Sequence, residues 1–393
     1  MSRLPWAATL LALTACTPAM RTPSWSIAPA VADSIRTERV RRGVQLHRLV
    51  RTTGPLRAYV LDVDLRECVS VRGVKGAPVA IGRQTTSALL LGARPQYEPV
   101  AAVNADFFLF APPGIPVGAH IEGGRLISGP VARPVFAMLA SGAPWIGELS
   151  ATVTIRTARG VIRTAWNRPA RDVPGVVDAA WGVALDSTIT RPVWRLVPVS
   201  SGGVGARRYA AESLRGAESR TARGDTILVV ELGRATGGTA SNDLMTLQSG
   251  DTVDVTRTIE PQSVLHAVGG FPVLMRDSLI TGAVDSVSSA GFRGVNPRTA
   301  IGIGANGRRL LIMVIDGRQA GFSVGASLRE TATLLRDLGA RDALNLDGGG
   351  SSALVVADAR EARGVRVVNR PSDATGERPV ANALALVQGC IGR

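Results

Sequence analysis

Residues 309–356 read RLLIMVIDGRQAGFSVGASLRETATLLRDLGARDALNLDGGGSSALVV and contain two apolar runs that each end in an acid. Residues 310–315 have the length and composition of a buried strand, and Asp316 follows them. Residues 343–346 form a second, shorter apolar run that ends at Asp347. The pattern therefore predicts two strands that each deliver an aspartate at the carboxyl end.

A helix is predicted between these strands. Its apolar positions share one face and are Leu328, Ala332, Leu335 and Leu338. Ser327 and Glu330 form an S-x-x-E capping box at its start, and Gly339 stands where a left-handed C-cap is expected. Residues 310–347 are thus predicted to form a β-α-β unit.

The two aspartates are the first candidates for chemistry. If the strands are parallel neighbours joined by a right-handed crossover, Asp316 and Asp347 emerge at one carboxyl edge of the sheet. Adjacent strands lie about 4.8 Å apart, so the two carboxyls would lie roughly 5–10 Å apart, a spacing at which paired acids act on a glycosidic bond. The glycines at 348–350 would let a substrate approach the backbone. An ordinary strand end followed by a glycine turn is the alternative.

Composition and charge limit the class of protein. The 393 residues are 45% hydrophobic, with 44 Gly and 23 Pro, which suits a sheet-rich and turn-rich globular protein. The net charge is +14, and Lys75 is the only lysine. This excess favours anionic partners. Aromatic residues make up only 4%, and no basic run is interleaved with them, so no nucleic-acid partner is expected.

The N-terminus predicts export. Residues 1–16 read MSRLPWAATLLALTAC, an apolar run followed by Leu-Thr-Ala-Cys. This pattern is typical of a bacterial lipoprotein signal peptide with Cys16 as the lipidated residue. An ordinary cleaved signal peptide is the alternative, and both export the protein. Residues 17–42 are predicted to be a flexible tether to a periplasmic or outer membrane anchor.

Two cysteines remain after Cys16. Because the chain is predicted to be exported to an oxidising compartment, Cys68 and Cys390 could form a disulfide. Two free buried thiols are the alternative.

The folded domain is predicted to cover residues 43–393, with a β-rich insertion or subdomain at 135–260. Within it, a strand at 99–103 delivers Asn104 and Asp106, followed by two phenylalanines, which is compatible with the rim of a sugar site or with an Asx turn over a buried Phe pair. Arg298 precedes another apolar strand. Its guanidinium could hold a phosphate, or it could be a surface arginine.

Several other chemistries lack a motif. The sequence has no P-loop and no G-x-S-x-G motif, and its three histidines do not have zinc-ligand spacing. The sequence requires no cofactor, while a divalent metal bridging the acids remains open.

Seven motifs together resemble the phosphodiester glycosidase family, which includes bacterial proteins described as exopolysaccharide-related. They are NADFF at 104–108, AVGGFPVLMRD at 267–277, NPRTAIGI at 296–303, VIDGR at 314–318, SLRETATLLRDLGARDALNLDGGGSSALV at 327–355, NRPSD at 369–373 and ERPVANAL at 377–384. The resemblance implies a mixed α+β fold with a sheet-rich core. It also implies that family positions are occupied by Asn104, Arg298, Asp316, Glu330, Asn345, Asp347 and residues 348–352.

We therefore expect an exported, membrane-anchored hydrolase that cleaves a sugar-1-phosphodiester in an envelope or extracellular glycan. A phosphate leaves as a stabilised anion, so strong general acid help is less necessary than for an ordinary glycoside. The expected catalytic residues are Asp316, Asp347 and Glu330, although Glu330 could serve only as a helix cap. The expected substrate-binding residues are Asn104, Asp106, Arg298, Asn345, Gly348, Gly349, Gly350, Ser351, Ser352 and Asn382.

A protein of another class would also fit the sequence. A non-catalytic envelope lipoprotein could bind an anionic polysaccharide during its biosynthesis or export. Such a binder would keep its glycan affinity after Asp347→Asn and would release no sugar.

Overall fold

Apolar and β-branched residues dominate most segments of the chain, and such residues favour strands. The computed structural model describes residues 32–94, 96–168, 175–183, 190–201, 206–214, 222–232, 247–288 and 292–390. The predicted signal peptide at 1–16, with Cys16, lies outside the described residues. Strands make up 49% of the structure and helices 9%. The predicted sheet-rich core is present, but the protein is mostly β, and α+β overstates its helical part.

In chain order the strands are β1 Ser34–Arg41, β2 Val44–Arg51, β3 Leu56–Asp64, β4 Val69–Val74, β5 Glu98–Asn104, β6 His120–Glu122, β7 Arg125–Ser128, β8 Pro134–Leu139, β9 Pro144–Glu148, β10 Ser150–Arg156, β11 Val161–Trp166, β12 Gly175–Val177, β13 Thr190–Ser201, β14 Ala206–Ser213, β15 Ile227–Leu232, β16 Thr252–Glu260, β17 Val264–Gly269, β18 Val273–Arg276, β19 Leu279–Ile280, β20 Arg298–Gly304, β21 Arg309–Ile315, β22 Ala340–Asn345, β23 Leu354–Ala357, β24 Val365–Val367 and β25 Ala383–Gln388. The described helices are α1 Thr86–Gly92, α2 Ala283–Ser286 and α3 Leu328–Asp337, and single 3-10 turns lie at Leu65–Glu67 and Gly349–Ser351. No helix in the described ranges has both the length and the apolarity needed to cross a bilayer.

These strands form four units. An eight-stranded sheet has the order β1-β2-β3-β21-β20-β22-β18-β19. Two five-stranded sheets have the orders β24-β23-β5-β25-β4 and β7-β6-β17-β8-β9. A closed barrel has the order β10-β11-β12-β15-β13-β14-β16 and lies within the region predicted to be a β-rich insertion.

The central β-α-β unit has one feature that the sequence did not predict. Strands β21 and β22 run in the same direction, but β20 pairs antiparallel with both and lies between them. The prediction that β21 and β22 are neighbours is therefore wrong. Their carboxyl ends are separated by two strand spacings, about 10 Å. Strand β20 reaches this position through the tight hairpin at Gly307, which joins it to β21.

Helix α3 begins and ends as predicted. The Ser327 hydroxyl accepts a hydrogen bond from the Glu330 N–H at 3.0 Å, and Gly339 has φ of +92° just beyond the helix. The Glu330 carboxylate pairs with Arg51 at 2.7 Å. This ion pair links the start of α3 to the end of β2.

Two faces of the eight-stranded sheet are covered by different layers. Alternation places Leu311, Met313 and Ile315 of β21 in one core with helix α3. Leu310, Ile312 and Val314 point to the other side, into a core shared with β5, β23 and β25. This alternation decides on which side of the sheet each candidate residue lies.

The folded part starts earlier than predicted. Ser34–Arg41, assigned to the flexible tether at 17–42, forms β1 and pairs antiparallel with β2. Six of its eight side chains are exposed and two are partly buried, so the segment contains no apolar run that would predict a strand. Backbone pairing with β2 stabilises it.

A disulfide links the two ends of the domain. Cys68 follows the 3-10 turn at Leu65–Glu67, and its sulfur is bonded to that of Cys390, 322 residues later. The bond holds the segment after β25 against the start of β4.

Replacing both Cys68 and Cys390 with Ser should lower the free energy of unfolding by about 2–5 kcal/mol, because the unfolded chain gains the freedom of a very long loop. Urea denaturation of both proteins without reductant measures the difference. Two reactive thiols in denatured, unreduced wild-type protein would show that the disulfide is absent.

Candidate active site

Asn104 lies at the end of β5 and connects the five-stranded sheet that contains β5 with the eight-stranded sheet. Its side-chain amide donates to the Asp347 carbonyl at 2.6 Å, and its side-chain oxygen accepts from the Ala353 N–H at 3.1 Å and the Thr299 hydroxyl at 2.8 Å. Asn104 is fully buried. It was predicted to bind substrate, but its contacts show that it holds the site loops together.

Asp106 lies in a pocket lined by glycine. One carboxylate oxygen accepts from the Gly118 N–H at 2.7 Å, and the Asp106 N–H donates to the side chain of Asn382 at 2.9 Å. A Cβ on Gly269 would lie 2.5 Å from the same carboxylate oxygen, so only glycine leaves room for it. The other oxygen, Oδ1, has no hydrogen-bond partner among the described residues.

Burial is the main electrostatic influence on Asp106. It raises the pKa of this carboxyl to about 7, and the negative charge of Asp347 acts in the same direction. The Gly118 N–H, Arg168 and Arg133 oppose the shift. Asp106 therefore carries a proton for much of the time near neutral pH.

Asp347 is the second acid of the site. Its N–H donates to the Ala105 carbonyl at 2.8 Å, which brings the loop after β22 against the end of β5. Burial raises the pKa of Asp347 to about 6, against the opposing effects of Ser351, the Gly348 N–H and Arg378. Unlike Asp106, Asp347 is partly exposed.

Asp316 has different hydrogen-bond partners from this pair. It is only 1% exposed, and its carboxylate accepts from the Asn369 amide at 3.0 Å and from the Arg370 N–H at 3.0 Å. Burial raises its pKa, and the Tyr59 hydroxyl also contacts it. The Asn369 amide donates in addition to the Ser352 carbonyl at 3.1 Å. Asp316 thus holds the loop after β24 against the glycine loop, while the acid that interacts with Asp347 is Asp106.

Arg298 does not reach the rim. Its guanidinium donates to the carbonyls of Ala326, Phe292 and Gly294, each at 2.9 Å, and the residue is 2% exposed. Burial, and then the charge of Arg318, lower its pKa to about 10. In β20 it pairs with Ile315, which faces α3, so alternation directs it away from the sandwich. The predicted phosphate clamp is therefore a buried support for the segment before α3.

Asn345 and Asn382, also predicted to bind substrate, are buried and hold neighbouring segments together. The Asn345 amide donates to the Phe271 carbonyl at 2.7 Å and to the Leu346 carbonyl at 2.8 Å. Asn382 holds the Asp106 N–H and lies 3.1 Å from the His120 ring nitrogen. Glu330, predicted to be catalytic, lies on α3 with Arg51, and Asp316 faces the opposite side of the sheet.

The glycine loop at 348–352 supports two guanidinium groups that the sequence analysis did not select. A Cβ on Gly349 would lie 3.1 Å from Arg318, and one on Gly350 would lie 2.1 Å from Arg378. Arg318 is exposed and donates to the Asn296 side chain at 3.0 Å. Arg378 makes a two-pronged pair with Asp373. Both arginines stand in the family motifs VIDGR and ERPVANAL, which was the available signal.

An aromatic face adjoins Asp106. The Phe292 ring lies 5.2 Å from that of Phe107 and 5.7 Å from that of Phe271, and all three side chains are partly exposed. The Arg133 guanidinium lies 5.1 Å from the Phe271 ring. These half-buried rings form one apolar surface, to which the NADFF motif contributes Phe107.

The barrel contributes one residue to this arrangement. Arg168, which follows β11, donates to the carbonyls of Pro116, Val117 and Gly118 at 2.8–3.1 Å. It also donates to Gly129 and Ser128. Since Gly118 holds the Asp106 carboxylate, the barrel supports the site through Arg168.

Among the described residues, no group of three or more His, Cys, Asp or Glu side chains is placed to hold a metal ion.

Several solved structures share this fold. A hypothetical protein from Synechocystis is 23% identical with a TM-score of 0.69, over 91% of this chain and 64% of that one. A Burkholderia pseudomallei protein described as exported is 25% identical with a TM-score of 0.61, over 85% of this chain and 74% of that one. The catalytic domain of zebrafish N-acetylglucosamine-1-phosphodiester alpha-N-acetylglucosaminidase is 14% identical with a TM-score of 0.47, over 90% of this chain and 83% of that one. No curated protein matches the chain.

Residues 209–387 match the model of the phosphodiester glycosidase family, which confirms the resemblance that the motifs indicate. The matched residues are similar to those of glycosidase-type enzymes. The matched region contains Asp316 and Asp347, whereas Asn104 and Asp106 precede it.

Gly269→Ala should displace the Asp106 carboxyl, because the new Cβ would lie 2.5 Å from its oxygen. We expect a loss of about 1–3 kcal/mol in the free energy of unfolding, the usual cost of overpacking a buried site. Gly282→Ala is the matched control, since a Cβ there meets no heavy atom within 4 Å. Equal stabilities of the two variants in urea denaturation would contradict the tight pocket.

Proposed function

We propose that the protein hydrolyses a sugar-1-phosphodiester in a cell-envelope or extracellular glycan, cleaving the bond between the anomeric carbon and the phosphate oxygen. The observation that carries this proposal is the Asp106–Asp347 pair, in which both carboxyls have raised pKa values and only Asp347 is partly exposed. Glycosidases commonly use two carboxyl groups whose pKa values differ, so that one is protonated while the other is ionised.

The two acids have different roles in this proposal. Near neutral pH the pair retains a proton mainly on Asp106, whose pKa is about 7, and leaves Asp347 ionised, with a pKa of about 6. The Asp347 carboxylate stabilises positive charge at the anomeric carbon and accepts a proton from the attacking water. Asp106, which is buried, keeps its proton and so adds no second negative charge beside Asp347.

The proposed reaction balances without a co-reactant. The water oxygen bonds to the anomeric carbon, and the bond from that carbon to the phosphate oxygen breaks. The electron pair of that bond leaves with a phosphate monoester. The water proton passes to Asp347 and then to solvent, so the products are a free sugar and a phosphate monoester.

Arg318 is the proposed phosphate ligand in place of Arg298. It is exposed and positioned by Asn296, and it lies against the glycine loop that begins directly after Asp347. Arg378 is close enough to lower the pKa of Asp347, but Asp373 already occupies its guanidinium. An exposed, oriented guanidinium is suited to two-pronged phosphate binding.

The remaining parts of the site support this assignment. The partly exposed rings of Phe107, Phe271 and Phe292 offer an apolar surface to one face of a sugar. The Asp316 carboxylate accepts a hydrogen bond from the Arg370 N–H and so positions the segment that contains Arg370. The lipid anchor at Cys16 remains part of the proposal and would retain the enzyme at the membrane.

The pH dependence tests the two roles. With aryl sugar-1-phosphodiesters as substrates, kcat/KM should rise as Asp347 ionises near pH 6 and fall as Asp106 loses its proton near pH 7. Asp106→Asn cannot ionise, so it should lose the alkaline limb and retain a rate reduced on the order of 10²-fold. Asp347→Asn should reduce turnover on the order of 10³-fold or more.

Glu330→Gln is the matched control, because the amide keeps the polar start of α3 and lies outside the pair; it should leave turnover near wild type. If the fall in kcat/KM at alkaline pH is unchanged in Asp106→Asn, Asp106 is not the group whose loss of a proton causes that fall. Retained glycan binding with no hydrolysis of any phosphodiester, with or without chelator, would favour the non-catalytic binder.

Arg318→Met should lower kcat/KM for phosphodiesters by about tenfold to a hundredfold, because a charge-assisted hydrogen bond to the phosphate is lost. Arg336→Met removes an exposed arginine from the end of α3 and should have no effect. An equal loss in both variants would indicate a general charge effect and contradict a specific phosphate ligand.

A further inference from the structure

The turn formed by residues 109–113 exposes an uninterrupted apolar surface. Its sequence is Leu-Phe-Ala-Pro-Pro, and all five residues are exposed. Phe110 is 69% exposed and Leu109 40%. The other large exposed hydrophobic residues in the described ranges are separated along the chain: Ile35, Val161, Val199, Leu279, Val295 and Val367. A contiguous run of this kind indicates an interaction surface.

The base of this turn is held firmly. The Leu109 N–H donates to the Ile115 carbonyl at 2.9 Å, and the Gly114 N–H donates back to the Leu109 carbonyl at 2.8 Å. The ammonium of Lys75, the only lysine, donates to the carbonyls of Gly82 and Gly114 at 3.1 and 3.0 Å. The exposed tip is therefore ordered before it meets a partner, which lowers the entropic cost of binding.

The charge around the tip is positive. The Arg83 guanidinium lies 5.9 Å from the rings of both Phe108 and Phe110. Arg83 is the only charged residue in the two segments that build the tip and its base, 77–83 and 107–118. The whole chain carries +14. A protruding apolar tip with an adjacent cation and no acid complements a surface that is apolar beneath and anionic at its outer layer.

We propose that the turn at 109–113 inserts into the interfacial region of an anionic lipid bilayer, with Leu109 and Phe110 among the acyl chains and Arg83 at the headgroups. This contact is separate from any lipid on the N-terminus, because it belongs to the folded domain. A fluid bilayer accepts a convex apolar tip without a matching socket.

The position of the turn gives the contact a consequence for the site. The hydrogen bond from the Gly118 N–H to Asp106 closes the base of the same hairpin. Phe110 is four residues from Asp106, so at most about 14 Å separates their backbones. Insertion would hold the Asp106–Asp347 pair close to phosphodiesters carried by membrane lipids. This part rests on the proposed function, whereas insertion itself does not.

Site-specific spin labelling tests the insertion. The full chain with Cys16→Ala removes the predicted lipidation, and a nitroxide is attached at Ala111→Cys, which leaves Leu109 and Phe110 intact. Upon addition of phosphatidylglycerol vesicles, the label at 111 should gain contact with oxygen and lose contact with a water-soluble nickel chelate. A label at Leu279→Cys is the matched control, since Leu279 is 74% exposed on another hairpin, and it should stay in water.

Substitutions then identify the contacts. Leu109→Ser with Phe110→Ser should weaken vesicle binding about tenfold or more and return the 111 label to water, whereas Leu279→Ser should change neither. Arg83→Gln should weaken binding about fivefold. The proposal is overturned if the 111 label stays in water, if the 279 label responds equally, or if phosphatidylcholine vesicles produce the same insertion.

An activity measurement separates this proposal from the proposed function. The Leu109→Ser/Phe110→Ser protein should cleave a soluble aryl phosphodiester at the wild-type rate and a vesicle-embedded one about tenfold more slowly. Insertion without hydrolysis of either substrate would sink the proposed function and leave the membrane contact standing. Equal rates of the variant and wild type on embedded substrate would remove the link between insertion and the site.

Discussion

The hydrogen bonds of Asn104 are the contacts on which the site depends. One buried amide side chain joins the end of β5 to the carbonyl of Asp347, the N–H of Ala353 and the hydroxyl of Thr299. These partners belong to the eight-stranded sheet and to the segment between the two sheets. Because a buried amide left without partners costs about 1–3 kcal/mol, this junction resists displacement. It places Asp106 and Asp347 together at the meeting edges of two sheets.

Burial then determines the chemistry available at that junction. The carboxyls of Asp106 and Asp347 lose water on folding, so their pKa values rise towards neutrality. The glycines Gly118 and Gly269 make this burial feasible, since side chains there would collide with the Asp106 carboxyl. The exposed guanidinium of Arg318 stands across the glycine loop. The site thus combines acids that retain protons with a cation open to an anionic substrate.

The outer parts of the fold also bear on the site. Arg168 brings the barrel into contact with the loop that contains Gly118, and Lys75 fixes the other end of the same hairpin at Gly114. Both side chains donate to backbone carbonyls rather than to acids. These two half-buried cations therefore shape the segment 107–118, which leads from Asp106 to the exposed apolar turn.

Sequence by itself determined the local elements. The apolar run, capping box and C-cap glycine around α3 are local in origin, and the structure has all three. The motifs also identified the family, and the strand ends identified Asp106, Asp316 and Asp347 as acids of interest. Tertiary structure alone decided how these acids combine. Asp106 and Asp347 lie 241 positions apart in two different sheets, and no local pattern reports which sheet edges meet. Likewise, pairing of Arg298 with Ile315 turned its side chain towards α3, because strand register sets the face that each residue occupies.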